Sequence, residues 1–202
     1  MKTLFWLLLC SFTFAIADEM QDLNIGEPVP SFTLFNYDGK EISLEKFCGK
    51  NAFTVVIFIS TECPVSNGYN ERMVKLSEKY YESNVKFLGI NSNKAESIED
   101  ISDHSKKHKF PFPVLKDENN IVADNYAAMV TPEVFVINAK GTLLYHGRIY
   151  DSWKKESEVK EKDLENALDA LLAKKEPPKS ETTARGCSIK RVETEKSNGI
   201  KH

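Results

Sequence analysis

The stretch Val55-Val-Ile-Phe-Ile-Ser-Thr-Glu-Cys-Pro-Val-Ser66 decides the fold, because an apolar run ends in it and a helical pattern begins. The β-branched and aromatic residues from Phe53 to Ile59 predict a buried strand. Apolar residues at helical spacing then predict a helix from Pro64 to about Glu82, namely Val65, Tyr69, Met73, Leu76 and Tyr80. Proline suits the first helical position, where its missing N–H costs nothing. We therefore expect a strand-turn-helix unit with Cys63 at the turn.

Cys63 is the candidate nucleophile of the chain. A cysteine directly before a helix meets unpaired backbone N–H groups and the positive end of the helix dipole, and both favour the thiolate over the thiol. The neighbouring carboxylate of Glu62 acts in the opposite direction. The alternative is that Cys63 is a small buried apolar residue, as many free cysteines are.

The first 17 residues have the layout of a secretory signal peptide. Lys2 is the charged start, an apolar stretch runs from Leu4 to Phe14, and Ala15-Ile-Ala17 resembles a cleavage site. The apolar stretch is too short to span a bilayer, although an uncleaved anchor is the alternative. We therefore expect an exported protein, periplasmic or secreted and free of the membrane after cleavage, in a compartment where disulfides persist.

Composition and charge exclude several classes of function. The chain has 202 residues, 41% of them hydrophobic, which suits one domain with appendages, and its formal net charge is −3. This mildly acidic balance offers no electrostatic footprint for nucleic acid. His104 and His108 could share a helix face, but charged neighbours indicate a solvated surface there. We expect no cofactor and no metal, and we find no phosphate loop or paired-carboxylate motif.

Strands and helices alternate along the chain, which indicates an α/β fold. The predicted elements are a hairpin at 31–35 and 41–44, a strand at 85–90, a polar helix at 97–109, a link or edge strand at 110–115, a helix at 120–128, a strand pair at 133–137 and 142–146, and a helix at 157–173. We place the domain at 18–175, after the signal peptide at 1–17. Residues 176–202 are expected to form a flexible tail that carries Cys187.

A set of short motifs occurs in a specific order between Ile25 and Ala173. They are Gly26-Glu-Pro-Val-Pro-Ser-Phe-Thr-Leu34, Asp38-Gly-Lys40, Gly49-Lys50, Cys63-Pro64, Thr131-Pro132-Glu-Val-Phe-Val-Ile137 and Gly141. In this order they resemble the redoxin, or AhpC/TSA, family of the thioredoxin-like superfamily. The C-terminal Gly186-Cys-Ser-Ile-Lys-Arg191 is similar to tails in a peroxiredoxin-like subgroup. The resemblance implies an oxidoreductase with a thioredoxin-like fold: a central mixed sheet flanked by helices, an N-terminal β-hairpin and an extended C-terminal tail.

The sequence departs from this family's patterns at positions that bear on the chemistry. Thioredoxin-type enzymes carry Cys-x-x-Cys, whereas Ser66 stands in the place of the second cysteine here. Relative to the peroxiredoxin pattern, Ser60 takes the place of a threonine, Val56 that of a proline, and Pro132 approximately that of an arginine. We therefore expect thiol–disulfide exchange. The alternatives are a thiol peroxidase that reduces peroxides and a non-catalytic thioredoxin-like module for binding or metal handling.

Thr131-Pro132 resembles the cis-proline loop that faces the active-site thiol in thioredoxin-like proteins. Such a bond places backbone groups beside the cysteine, where an extended substrate segment could pair with them. An ordinary trans proline at a strand start is the alternative. We take Thr131, Pro132, Pro64 and Ser66 as candidate substrate-binding residues. The expected partners are protein thiols or disulfides, or small peroxides, together with a thiol reductant.

A second cysteine is needed to release a mixed disulfide. Cys48 precedes the strand that Cys63 follows, so the two should lie roughly 25 Å apart, whereas a disulfide needs Cα atoms within about 7 Å. We expect Cys48 to be a core or edge residue. An extended linker of about 14 residues after Ala173 could carry Cys187 up to ~45 Å. Our hypothesis is that Cys187 attacks Cys63 after Cys63 has reacted, the alternative being an unpaired tail cysteine.

Overall fold

The computed structural model describes residues 23–193. The predicted signal peptide at 1–17, residues 18–22 and the last residues of the predicted tail at 194–202 lie outside the described residues. The strands of the main sheet are β1 (Thr33–Asn36), β2 (Glu41–Ser43), β3 (Phe53–Phe58), β4 (Val85–Asn91), β5 (Val114–Lys116), β7 (Glu133–Asn138) and β8 (Leu143–Gly147). A separate two-stranded sheet is formed by β6 (Val130–Thr131) and β9 (Cys187–Ser188).

The main sheet has the strand order β2-β1-β5-β4-β3-β7-β8. Strand β3 pairs in parallel with β4 and antiparallel with β7, and β4 pairs in parallel with β5. The outer pairs, β1 with β2 and β7 with β8, are antiparallel. A helical crossover therefore joins the parallel strands β3 and β4, while the antiparallel strands β7 and β8 form a hairpin. The predicted mixed α/β, thioredoxin-like fold with an N-terminal hairpin is confirmed.

Both faces of the sheet are buried beneath helices. The helices are α1 (Leu44–Cys48), α2 (Pro64–Gly68), α3 (Asn70–Lys79), α4 (Ile98–His108), α5 (Ile121–Asn125) and α6 (Asp163–Leu172). Successive side chains of β3 point to opposite faces, so Val55 and Ile57 pack with α3, α4 and α6, and Val56 and Phe58 pack with α1 and α5. Because both faces of β3 are buried, its sequence is a nearly continuous run of apolar residues.

Three predicted elements differ from the structure. The helix expected from Pro64 to Glu82 is two helices, because the chain turns at Tyr69, the last residue before α3. The stretch 110–115, predicted as a link or edge strand, leads into β5, which lies inside the sheet between β1 and β4. Its prolines precede the strand, so they remove no ladder hydrogen bond from it. The last helix begins at Asp163 rather than near Ser157, after a 3₁₀ turn at Glu156–Glu158.

Residues 176–193, which we expected to belong to a flexible tail, lie against the domain in the structure. His146 donates its backbone N–H to the carbonyl of Ser180 (2.9 Å) and accepts one from Thr182 (3.0 Å), so the segment follows β8. Further on, β9 pairs with β6, and the side chain of Ile189 is only 5% exposed in the core. Polar residues predicted disorder here, but backbone pairing and one buried aliphatic side chain hold the segment against the domain.

Candidate functional site

Cys63 lies where β3 gives way to α2 and is the N-cap residue of that helix. Its side chain is buried, with 3% of its surface exposed. The backbone N–H of Ser66 points at Sγ from 3.5 Å, and the carbonyl oxygen of Thr131 lies 3.3 Å from the same sulfur. The first contact favours negative charge on the sulfur, and the second favours a protonated thiol. Because α2 spans only Pro64–Gly68, its dipole is smaller than the predicted long helix would supply.

Cys187 is bonded to Cys63 in a disulfide, with the two Cα atoms 5.8 Å apart. The bond is supported by the pairing of β9 with β6, in which Cys187 lies opposite Thr131. Cys48 is a free thiol at the end of α1, buried in the core, and its burial raises the pKa of that thiol. The structure therefore pairs Cys63 with the distant Cys187, whereas Cys48, which is nearer in sequence, is not in a disulfide.

The Thr131–Pro132 peptide bond is cis. Thr131 is 1% exposed, and its backbone lies between Cys63 and β9. Among the other candidate substrate-binding residues, Pro64 is exposed beside the disulfide, whereas Ser66 is fully buried. The Ser66 hydroxyl accepts the N–H of Ser60 at 3.2 Å, so it holds the chain before Cys63 rather than facing solvent.

A buried carboxylate, that of Glu96, organises the Ser60–Cys63 loop. Glu96 is 3% exposed and accepts hydrogen bonds from the Ser60 hydroxyl (2.5 Å), from the backbone N–H and hydroxyl of Thr61 (2.6 and 2.9 Å) and from the Asn91 amide (2.6 Å). Ser60 in turn accepts the backbone N–H groups of Cys63 (3.0 Å) and Glu62 (3.2 Å). Sequence reasoning missed Glu96, because one acidic residue in a polar loop carries no periodic signal.

A second buried carboxylate supports the cis-proline loop from its other side. Glu133 follows Pro132 directly, and its side chain accepts the backbone N–H groups of Met129 (2.8 Å) and Val130 (3.1 Å). Its other oxygen lies 2.7 Å from Nε2 of His146. These contacts fix β6 in the position where it pairs with the strand that carries Cys187.

A cleft of about 220 Å³ opens beside Pro132. Aromatic and basic side chains line it, among them Tyr69, Tyr150, Trp153, Arg148 and Arg185. Arg148 donates from Nε to the carboxylate of Asp163 at 2.6 Å, and this hydrogen bond raises the pKa of the guanidinium. The cleft therefore brings arginine side chains next to the cis-proline loop, together with the carboxylates of Asp151 and Glu158.

The histidines considered for metal binding have other surroundings. Nε2 of His104 lies 2.8 Å from the amide oxygen of Asn67 and 3.1 Å from the amide nitrogen of Asn70. Burial lowers the pKa of His104 to about 4, with a smaller contribution from His108. Within residues 23–193, no group of three or more His, Cys, Asp or Glu side chains could hold a metal ion.

The site as a whole can exchange two electrons. Two cysteines whose Cα atoms are 5.8 Å apart can alternate between a dithiol and a disulfide without moving the sheet. The cis-proline loop presents backbone groups next to them, and buried carboxylates hold both the loop before Cys63 and the loop before Pro132. Of the candidate residues from the sequence, this arrangement gathers Cys63, Cys187, Thr131 and Pro132 at its centre.

Comparisons with known proteins agree with this chemistry. The model of the AhpC/TSA family matches residues 25–146. A chloroplastic peroxiredoxin Q from Populus jackii is 30% identical over 62% of this chain, and the chain covers 62% of that protein's length. The thiol-disulfide oxidoreductase ResA of Bacillus cereus is 25% identical over 61% of this chain and 69% of its own. A crystal structure of an uncharacterized conserved protein from Geobacillus kaustophilus superposes with a TM-score of 0.78 and 32% identity, covering 85% of this chain and 94% of that one.

Proposed function

The chain belongs to the AhpC/TSA family, and from this membership we propose that it is an extracytoplasmic thiol–disulfide oxidoreductase with Cys63 as nucleophile and Cys187 as resolving thiol. The family expected from the sequence is confirmed by the match, and the oxidoreductase class follows from it. The observation that carries the proposal is the bond between Cys63 and Cys187 beside a cis-proline loop.

The proposed reaction is a pair of thiol–disulfide exchanges. The Cys63 thiolate attacks one sulfur of a partner's disulfide, and the partner's other sulfur leaves as a thiolate. The Cys187 thiolate then attacks Sγ of Cys63, which releases the second partner thiol and leaves the Cys63–Cys187 disulfide. Two electrons have passed from the cysteine pair to the partner. A thiol reductant then supplies two electrons to the Cys63–Cys187 disulfide and restores the two thiols. The reverse sequence would oxidise a partner dithiol.

The residues around the sulfur have distinct roles in these steps. The Ser66 N–H, 3.5 Å from Sγ, stabilises the negative charge that Cys63 carries before attack and when it leaves. Glu96 and Ser60 act as positioning residues, because they fix the backbone on which Cys63 is carried. In the disulfide form the backbone of Thr131 pairs with Cys187 opposite Cys63, so the docked strand stabilises the product of the resolving step.

Two observations support an extracytoplasmic location. Residues 1–17 have the features of a signal peptide, and the disulfide suits a compartment in which disulfides persist. None of the helices within the described residues is long and apolar enough to cross a membrane.

A thiol peroxidase is the second candidate, favoured by the relationship to a peroxiredoxin Q and by the arginine-lined cleft beside Pro132. In this reaction the Cys63 thiolate attacks the peroxide O–O bond, giving a sulfenic acid and releasing water or an alcohol. The Cys187 thiol then displaces water from the sulfenic acid and forms the same disulfide. The two candidates differ only in the first electron acceptor.

The test compares Cys187→Ser with a matched control, Cys48→Ser, in the otherwise full chain. With oxidised glutathione or a disulfide-bonded protein such as insulin, Cys187→Ser should accumulate mixed disulfides on Cys63 and lose at least about tenfold in turnover, because the resolving step is absent. Cys48→Ser should keep its turnover. Mass spectrometry of alkylated peptides identifies the adducts, and hydrogen peroxide consumption coupled to a thiol reductant separates the two candidates. Unchanged turnover in Cys187→Ser would contradict the resolving role.

A further inference from the structure

The strand that carries Cys187 occupies a groove whose contacts are mainly backbone contacts. Cys187 pairs with Thr131 and Ser188 with Val130 in antiparallel register, and the N–H of Ile189 donates to the carbonyl of Met129 at 3.0 Å. Strand addition of this kind accepts any extended segment whose side chains fit, because the main chain supplies the hydrogen bonds. The groove lies directly against Sγ of Cys63, so it is where a sulfur attacked by Cys63 must be held.

The position before the cysteine has no room for a side chain. A Cβ atom built on Gly186 would overlap the carbonyl oxygen and carbon of Thr131. These are backbone atoms of the cis-proline loop, and Glu133 holds the preceding residues in place, so the loop cannot yield as a side chain would. The groove therefore admits glycine directly before the cysteine.

The position two residues after the cysteine selects an aliphatic side chain. Side chains alternate along an extended segment, and here Ser188 and Lys190 are exposed while Ile189 is 5% exposed and belongs to the core cluster beneath β3. A polar residue at this position would forfeit the burial of an aliphatic side chain. Ser188 lies between Cys187 and Ile189 and is exposed, so its position does not require an aliphatic side chain.

After Ile189, the groove also binds the backbone of the C-terminal segment. The N–H of Lys190 donates to the amide oxygen of Asn93 at 2.8 Å, and its carbonyl accepts the N–H of Lys94 at 2.8 Å. The N–H of Val192 donates to the amide oxygen of Asn120 at 2.7 Å. An extended segment of about seven residues is thus bound along its length.

We propose that this groove is the docking site for the substrate protein, that residues 186–189 occupy it as a built-in substrate mimic, and that it selects an extended partner segment with glycine directly before the reactive cysteine and an aliphatic residue two positions after it. The inference rests on the proposed thiol–disulfide exchange, for which it names the substrate class. Because one strand at a time can pair with β6, a partner segment binds only after the chain's own strand has left.

The test uses the full chain with Cys187→Ser and synthetic peptides of sequence Arg-Gly-Cys-Ser-Ile-Lys-Arg-Val, which copies residues 185–192. The peptide cysteine is joined in a disulfide to thionitrobenzoate. When Cys63 attacks the peptide sulfur, the peptide becomes bonded to Cys63 and one coloured thionitrobenzoate thiolate leaves, so absorbance gives the second-order rate constant. Peptides with alanine for the glycine, or serine for the isoleucine, should react at least about tenfold more slowly. A peptide with threonine for the exposed serine is the matched control and should react like the parent.

A second variant tests whether the chain's own strand competes for the groove. In Gly186→Ala combined with Cys187→Ser, the strand cannot dock, so the parent peptide should react several-fold faster than with Cys187→Ser alone. Equal rates in the two variants, or rates within about twofold for all peptides, would overturn the inference while leaving thiol–disulfide exchange intact. If Cys63 reacts neither with the peptides nor with free dithionitrobenzoate, the proposed function fails instead.

Discussion

Glu96 brings a carboxylate into the interior beside the loop that carries Cys63, and four donors satisfy it there. A carboxylate can accept all four of these hydrogen bonds, whereas a side-chain amide at the same place would turn its N–H₂ group toward a donor. Through the Ser60 hydroxyl the carboxylate also fixes the N–H groups of Glu62 and Cys63. One residue in a loop more than 30 positions along the chain therefore holds the loop that carries Cys63.

Replacing this carboxylate should affect stability and reactivity together. Glu96→Gln turns an amide N–H₂ toward existing donors, so the free energy of unfolding should fall by about 1–3 kcal/mol. Weaker support of the loop before Cys63 should also change the rate at which Cys63 is alkylated at a fixed pH, because Ser60 would no longer be held against the N–H groups of Glu62 and Cys63. Urea unfolding and iodoacetamide kinetics, both in a Cys187→Ser background, measure the two effects. Glu99→Gln, at an exposed position on α4, is the control; an alkylation rate equal to that of the control would argue against the positioning role.

At the scale of secondary structure, the site is assembled from short elements that contact one another. The end of β3, the five-residue helix α2, the cis-proline loop with β6, and β9 each contribute one part. Helix α4 joins this assembly through His104, whose ring contacts Asn67 at the end of α2 and Asn70 at the start of α3.

This contact gives a pH dependence to the packing of α4. Burial lowers the folded-state pKa of His104 to about 4, below the ordinary value of 6.5, so the folded state binds the proton less well than the unfolded state does. The stability from the neutral ring is present above pH 6.5 and is lost as the pH falls toward 4. Unfolding free energies of the wild type and His104→Gln should therefore converge over this range, whereas His108→Gln should lose only the smaller part of the slope that follows from the lowered pKa of His108 and from its effect on His104. Parallel curves for His104→Gln and the wild type would exclude the effect.

The docking of β9 depends on one aliphatic side chain. Ile189→Ala should destabilise the docked strand by about 2 kcal/mol, because it removes buried methyl groups. Limited proteolysis of the reduced protein should then cut after Lys190 or Arg191 faster than in the wild type, and the Cys63–Cys187 bond should be easier to reduce. Ser188→Ala, at the exposed neighbouring position, should change neither. Equal cutting in all three proteins would show that Ile189 does not anchor the strand.

For the whole molecule, the disulfide closes a loop with a sequence separation of 124 residues, which ties the C-terminal segment to the turn between β3 and α2. Restricting so long a loop in the unfolded chain should stabilise the oxidised protein by roughly 2–5 kcal/mol over the reduced protein. Chemical unfolding with and without a reductant measures the difference, and Cys63→Ser should abolish it. A difference in Cys63→Ser equal to that in the wild type would mean that the reductant acts elsewhere.

The sequence by itself determined the α/β fold, the strand-turn-helix position of Cys63, and the exclusion of Cys48 as its partner, because these follow from local periodicity and from the fixed length of a strand. Only the tertiary structure decided that the C-terminal segment is docked, since its pairing with β6 and β8 joins residues far apart in the chain. The same holds for Glu96 and Glu133, whose roles come from donors on other segments. A polar residue carries no periodic signal of its own, and folding alone decides which backbone groups it meets.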